Sequence, residues 1–254
     1  NSNKKITLSM TTLVVGGSGA TGRKLVDQLL SSNQTVKVIV RTSEKLPEAW
    51  KKNEQLFIIH ASVLDIGLEK MAEHLKDCHA VVSCLGHNMS WKGIYGAPRN
   101  LVTAAVDLLC NAIKENALER PTKLVLMNTS GNSNRDLDEP ISKGQKYVMA
   151  LLRLLLPPHV DNETAADYLR IEVGQNNNLI EWVAVRPDGL INEDEVTEYK
   201  TYPSPIRSAI FEAGKISRMN VGHFIAELIT RKEAWDRWKG QMPVIYQTAQ
   251  KINL

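Results

Sequence analysis

Cysteine is scarce in this chain. The 254 residues hold three, Cys78, Cys84 and Cys110. The number is odd and no C-x-x-C pair occurs, which argues against a disulfide framework or a cysteine zinc site and fits a reducing cytoplasm. An excess of one charge is also missing. The net charge is +3, and no dense Lys/Arg block appears. Neither nucleic acid nor a membrane is therefore an expected partner; a small molecule is. No apolar run has the length of a membrane span. The longest, Val148 to Leu156, is interrupted by Arg153 and stops at Pro157-Pro158. The first ten residues lack the apolar core of a signal peptide, and residues 1–9 read as a tag or leader. What remains is ordinary for a soluble globular protein: 43% hydrophobic and 23% charged residues, enough for one large domain.

The informative segment lies near the start. Gly16-Gly17-Ser18-Gly19-Ala20-Thr21-Gly22 follows the apolar run Leu13-Val14-Val15 and precedes Lys24-Leu25-Val26-Asp27-Gln28-Leu29-Leu30. A strand, a glycine turn and a helix in that order make a phosphate cradle. Gly16 lets the chain turn off the strand, Gly19 lets a pyrophosphate approach the backbone, and Gly22 lets the helix pack tightly. The unpaired N–H groups and the dipole at the helix start then favour an anion. The spacing, G-x-x-G-x-x-G, is a variant of the dinucleotide fingerprint in its confirming context.

Strand and helix alternate along the rest of the chain. Strands are predicted at 11–16, 36–40, 56–59, 80–84, 123–127, 182–186 and 244–246. Helices are predicted at 19–31, 44–52, 68–75, 98–118, 162–175 and 221–230. Pro98 is expected in the first turn of its helix, Asp161 as the cap of the 162–175 helix and Asn220 as the cap of the 221–230 helix. The strands are apolar and β-branched rather than alternating, as in parallel strands covered on both faces. One doubly wound α/β sheet follows, a single domain over residues 10–254. Residues 187–216 break the rhythm and read as a small substrate-side subdomain.

The second strand ends in Val40-Arg41-Thr42-Ser43-Glu44-Lys45. The acid that would bind the ribose of NAD is absent at the strand end, and Arg41 stands in its place. A guanidinium there holds the 2′-phosphate of NADP, so NADP is expected over NAD, with Thr42, Ser43 and Lys45 assisting. After the third strand, Val63 is placed against the adenine. Asp65 has two open roles, adenine acceptor or cap of the next helix. Cys84, Leu85 and Gly86 end the fourth strand, where Gly86 lets the backbone run close to the cofactor ribose.

These segments, with Val185-Arg186-Pro187-Asp188-Gly189-Leu190, resemble the atypical short-chain dehydrogenase/reductases, and within them the NmrA-like NAD(P)H-binding group with its biliverdin and flavin reductase relatives. The resemblance runs from about Thr11 to the end. It implies strand order 3-2-1-4-5-6 and places Pro187 beside the nicotinamide. It also implies a catalytic Ser after the fifth strand, which Ser130 matches with Thr129 close behind, and a Tyr-x-x-x-Lys pair. That pair is missing. Tyr147 is followed four residues on by Leu151, and Tyr168 by Glu172. Tyr168 remains the catalytic candidate, although a neighbouring Glu raises its pKa.

His87, Asn88, Trp91 and Tyr95 lie in a glycine-bearing loop where a planar substrate could rest, although Trp91 and Tyr95 could equally pack beneath the long helix. The apolar segment Leu151 to His159 is a core-facing helix, a pocket wall or a partner surface. The reading that joins these features is an NADPH-dependent oxidoreductase passing hydride to a flavin, a quinone or a bilin-like acceptor. Its rivals are a non-catalytic NADP(H) sensor and, more weakly, a nucleotide-sugar epimerase or dehydratase.

Overall fold

β1 (Thr11–Val15) is buried along its whole length, because strands pair with it on both sides and helices cover both faces. The computed structural model describes residues 10–44, 46–87 and 95–248. Lys45, Asn88 and Trp91 fall outside those residues. In chain order, α1 (Ala20–Ser31), β2 (Thr35–Val40), α2 (Glu48–Lys51), β3 (Leu56–His60), α3 (Leu68–Leu75) and β4 (Cys78–Ser83) form the first half. α4 (Leu101–Asn116), β5 (Thr122–Met127), α5 (Lys143–Leu155), α6 (Pro157–Asp167) and β6 (Ile180–Pro187) follow. The chain closes with β7 (Gly189–Ile191), β8 (Tyr199–Tyr202), β9 (Lys215–Ser217), α7 (Arg218–Thr230), α8 (Lys232–Trp238) and β10 (Val244–Gln247).

The main sheet runs β3-β2-β1-β4-β5-β6-β10-β8, parallel throughout except for the antiparallel pairing of β8 with β10. The expected 3-2-1-4-5-6 order is present, extended by the late strand β10 and by β8 from the 187–216 region. β7 and β9 pair separately. Side chains alternate between two apolar layers. Leu13 and Val15 face α3 and α4, while Val14 faces α1 and α7, where Trp235 and Trp238 are also buried.

Several boundaries differ from the sequence expectation for physical reasons. Pro98 sits outside its helix, in a loop with a cis Ala97–Pro98 peptide, and α4 begins at Leu101. The helix expected at 162 begins at Pro157, where two prolines suit a first turn, and runs on into a π-helical segment from Tyr168 to Val173. Asp161 is therefore interior to α6 and caps α4 across space. Ser217, not Asn220, caps α7, accepting from the Asn220 N–H at 3.0 Å. Asn220 is buried and holds Thr197 through two hydrogen bonds of 2.8 Å.

Candidate cofactor and acceptor site

The glycine turn is shaped as its spacing demands. Gly16 has φ +76°, and a Cβ there would lie 2.6 Å from the Cys84 carbonyl carbon. The turn closes on a hydrogen bond of 3.0 Å from Gly19 N to Gly16 O. Gly22 abuts Gly16 and Gly17 so closely that a Cβ would overlap their backbone. α1 can therefore start directly against β1. Gly19 is its N-cap and carries no side chain to satisfy the first turn, which also contains no acid. The amides of Ala20, Thr21 and Gly22 open this helix with no side-chain cap, the arrangement that binds a diphosphate.

A cleft of about 590 Å³ opens at this turn. Its floor is Gly16, Ser18 and Gly19, and one wall is Ile39, Val40 and Arg41 from the end of β2. The segment from Ala61 to Asp65 forms a second wall, with Val63 buried and Asp65 exposed. Cys84, Leu85, Gly86 and His87 form a third, completed by Gly96, Ala97, Pro98 and Leu101. The volume suits a cofactor-sized ligand. Arg41 is exposed and makes no ion pair among the described residues. Gly67, not Asp65, is the N-cap of α3, so the capping role left open for Asp65 is not taken. Burial pushes the Cys84 thiol up to about 12, leaving it an apolar wall and not a nucleophile.

His87 stands where this cleft meets α4. Its Nε2 lies 2.7 Å from Asp161 Oδ2, and both side chains are buried. Asp161 also accepts from the Val102 and Thr103 amides at 2.8 and 3.0 Å and from Thr103 Oγ1 at 2.6 Å. One carboxylate thus caps α4 and fixes the imidazole.

The family model for NAD(P)H-binding proteins matches residues 16–232. The chain belongs to the NAD(P)H-binding family. An uncharacterized chloroplastic protein of Arabidopsis thaliana is 28% identical over 221 residues, 87% of this chain and 72% of its own. The fold is also that of a wide-type short-chain dehydrogenase/reductase from Veillonella parvula solved with NADP, at TM-score 0.67 and 16% identity, with 94% and 95% of the two chains covered. A candidate NADH-flavin reductase from Streptococcus pneumoniae superposes at TM-score 0.63 and 16% identity, covering 94% of this chain and all of its own. The expected NAD(P)H-binding family is thus found, and the fold is one shared with short-chain dehydrogenase/reductases.

Ser130, Pro187 and Tyr168 are not among the residues that line the cleft. Ser130 is buried and does not line the cleft. Its Oγ donates to Asp188 Oδ1 at 3.1 Å, and its N–H donates to the Pro187 carbonyl at 2.9 Å. Asp188 also accepts from the Gly189 and Gly214 amides at 2.9 and 2.7 Å. Ser130 therefore ties the β5 loop to the β6 loop. Pro187 pairs with Ile245 of β10 and likewise lies off the cleft. Tyr168 packs behind α4, where burial, the Asp107 carboxylate and other nearby groups raise its pKa. No hydrogen bond joins Ser130 or Tyr168 to His87 among the described residues. Tyr95 is exposed at the cleft edge, and its hydroxyl donates to the Leu155 carbonyl at 3.1 Å.

Two residues were not recognised from sequence. Asp161 acts on a partner 74 positions away, so no local spacing signals it. Arg186, read only as part of a motif, is fully buried. It donates to the carbonyls of Met242, Asn132 and Pro203 and twice to Glu139, at 2.7 and 3.1 Å. That fork anchors the segment that follows β5.

Proposed function

We propose that this protein is an NADPH-dependent oxidoreductase acting on a small planar acceptor such as a flavin, quinone or bilin-like molecule. The observation that carries the reading is the shared cleft of an uncapped α1 and an unpaired Arg41. The first would hold the diphosphate and the second the 2′-phosphate. Asp65 and Val63 would flank the adenine. When bound, the cofactor supplies hydride. The chain supplies orientation, which is much of the rate for an electron-poor ring.

A planar acceptor suits this site better than an alcohol or ketone. Ketone reduction in the wider family leans on a tyrosine at the substrate oxygen, and Tyr168 lies behind α4 with its proton held more tightly than usual. His87 lines the cleft with its imidazole held by Asp161. With Nε2 engaged by Asp161, Nδ1 is the nitrogen that can exchange a proton with the acceptor or with water.

The test is NADPH oxidation against a panel of flavins, quinones and bilins, followed at the nicotinamide absorbance band. Turnover with one acceptor supports the reading. Tight NADPH binding with no turnover across the panel makes the protein a sensor instead. Arg41→Ala should weaken NADPH about 10- to 100-fold, as expected for loss of a charged hydrogen-bond pair, and leave NADH nearly unchanged. Equal loss for both coenzymes removes Arg41 from the 2′-phosphate.

A further inference from the structure

α5 is held to the protein by a narrow face. Met149 is its buried residue, while Tyr147, Leu151, Leu154 and Leu155 are 80%, 53%, 79% and 51% exposed. They fall at i, i+4, i+7 and i+8, which is one stripe. Phe211, 63% exposed, extends the patch, because its ring lies 3.6 Å from where a Cβ on Gly144 would stand. Such a contiguous apolar patch marks an interaction surface. Along α5 itself the charge has one sign, although Glu212 follows Phe211. From Pro140 to Val160 the chain contains no Asp or Glu. Arg153 is bridged to Glu163, and Lys143 and Lys146 are exposed with no ion pair among the described residues.

We propose that α5, together with Phe211, is an interfacial docking face for an anionic phospholipid membrane. An apolar stripe with cations along its flank is the pattern of a helix that lies in the headgroup plane. A second copy of this chain fits less well. Two such helices packed together would bring Lys143 and Lys146 against a helix with no carboxylate to answer them. The low net charge and the lack of a spanning segment, from which no membrane partner was expected, do not bear on a short helix of this kind. Among the described residues no helix is long and apolar enough to cross a bilayer.

The face adjoins the cleft. The Tyr95 hydroxyl holds the last turn of α5, and the residues just after Tyr95, Gly96 to Pro98, line the cleft. Docking would place the cleft mouth near the lipid surface, so the acceptor class is an apolar molecule dissolved in the bilayer. This last clause rests on the oxidoreductase reading; the docking does not.

Flotation with vesicles of phosphatidylcholine and phosphatidylglycerol, against pure phosphatidylcholine, tests the docking without any cofactor. The protein should float with the anionic vesicles. Leu151→Ser/Leu154→Ser should lower the partition coefficient at least about tenfold. Lys143→Gln/Lys146→Gln should lower it about fivefold per lysine on anionic vesicles only. All four side chains are exposed or unpaired, and unchanged thermal unfolding will show that the variants fold. Folded wild-type protein that stays with the soluble fraction overturns the proposal. So does a dimer in sedimentation analysis that the leucine variant alone dissociates, since the face would then belong to a second copy. For the acceptor, vesicle-borne long-chain quinone should be reduced by wild type and lost in the leucine variant, which should keep activity on a short-chain soluble quinone. Equal loss on both quinones overturns the acceptor class. Vesicle binding with no NADPH oxidation on either quinone leaves the docking in place and removes the enzyme reading.

Discussion

The two halves of this molecule make their sites in different ways. From β1 to β4 the cleft is backbone: a turn closed by its own amide, a helix start without a cap, and loop ends that carry few side-chain bonds. From β5 to β9 the loops and helices are held by polar side chains, most of them buried. Arg186 grips Glu139, Arg153 forks onto Glu163, and Ser130 reaches Asp188. Recognition by backbone needs glycine at fixed spacing, so it is written locally. Recognition by side-chain pairs needs partners that the fold alone brings together.

The sharpest way to break the comparison is at Arg186 and Glu139. Both side chains are almost fully buried. Glu139→Gln keeps one acceptor oxygen but leaves the buried guanidinium without its counter-charge, and removing one partner of a buried pair typically costs about 3–5 kcal/mol. Chemical denaturation should show that loss as a lower midpoint with an unchanged slope. The double variant Arg186→Met/Glu139→Leu should recover only part of it, because the apolar pair avoids the unpaired charge but takes the Arg186 donors from the Met242, Asn132 and Pro203 carbonyls. NADPH affinity of the folded Glu139→Gln protein should stay near wild type. If affinity falls in step with stability, the halves are not separable as described.

Glu163 sharpens the same contrast through pH. Burial would raise its carboxyl, but the His159 imidazole 3.4 Å away and the two hydrogen bonds and charge of Arg153 overcome this and hold it at about 2, below the ordinary 4.5. The folded value is depressed, so the stabilisation is complete above pH 4.5 and is lost as pH falls toward 2. Its size is about 3 kcal/mol. The stability difference between wild type and Glu163→Gln should therefore shrink across that window. A difference that is flat with pH means that Glu163 contributes by packing alone.

The legibility of the sequence follows the same division. Gly16 and Gly22 announce the turn because no other residue fits their close approaches, Gly19 completes the spacing, and the continuous apolar strands announce a sheet covered on both faces. Arg41 is placed by its position at the end of β2. Past β5 the reading weakens. Ser130 matches a motif position, yet the Asp188 carboxylate, 58 residues on, takes its hydroxyl into the interior. Tyr168 carries the expected residue type on a helix whose π-helical turn and burial set it behind α4. Pro98 looks like a first-turn proline because the pattern cannot show that Asp161 supplies the cap from outside. Helical periodicity identifies α5 but does not say which apolar face finds a neighbour. Of the faces that a core, a pocket or a partner could cover, the stripe from Tyr147 to Leu155 is left bare.

The smallest expected effect is at the seam between the halves. Asp161 comes from α6, but its carboxylate caps α4 and holds His87 at the cleft. Asp161→Ala removes the cap and should cost about 1–2 kcal/mol in thermal or denaturant unfolding. Asp161→Asn is the more telling variant. Asn keeps one acceptor oxygen for the α4 start, so part of that stability should remain, while the second oxygen, which faces His87 and the Val102 amide, is replaced by a donor. If the imidazole serves the acceptor, Asp161→Asn should lower the rate of acceptor reduction with little change in NADPH affinity, and His87→Phe should lower it to the same level. If the carboxylate serves only the helix, Asp161→Asn will behave as wild type in both assays and His87 loses its place in the chemistry. Stability and rate therefore respond to different variants at one residue, which makes Asp161 the position where the backbone-built site and the side-chain-built site can be measured against each other.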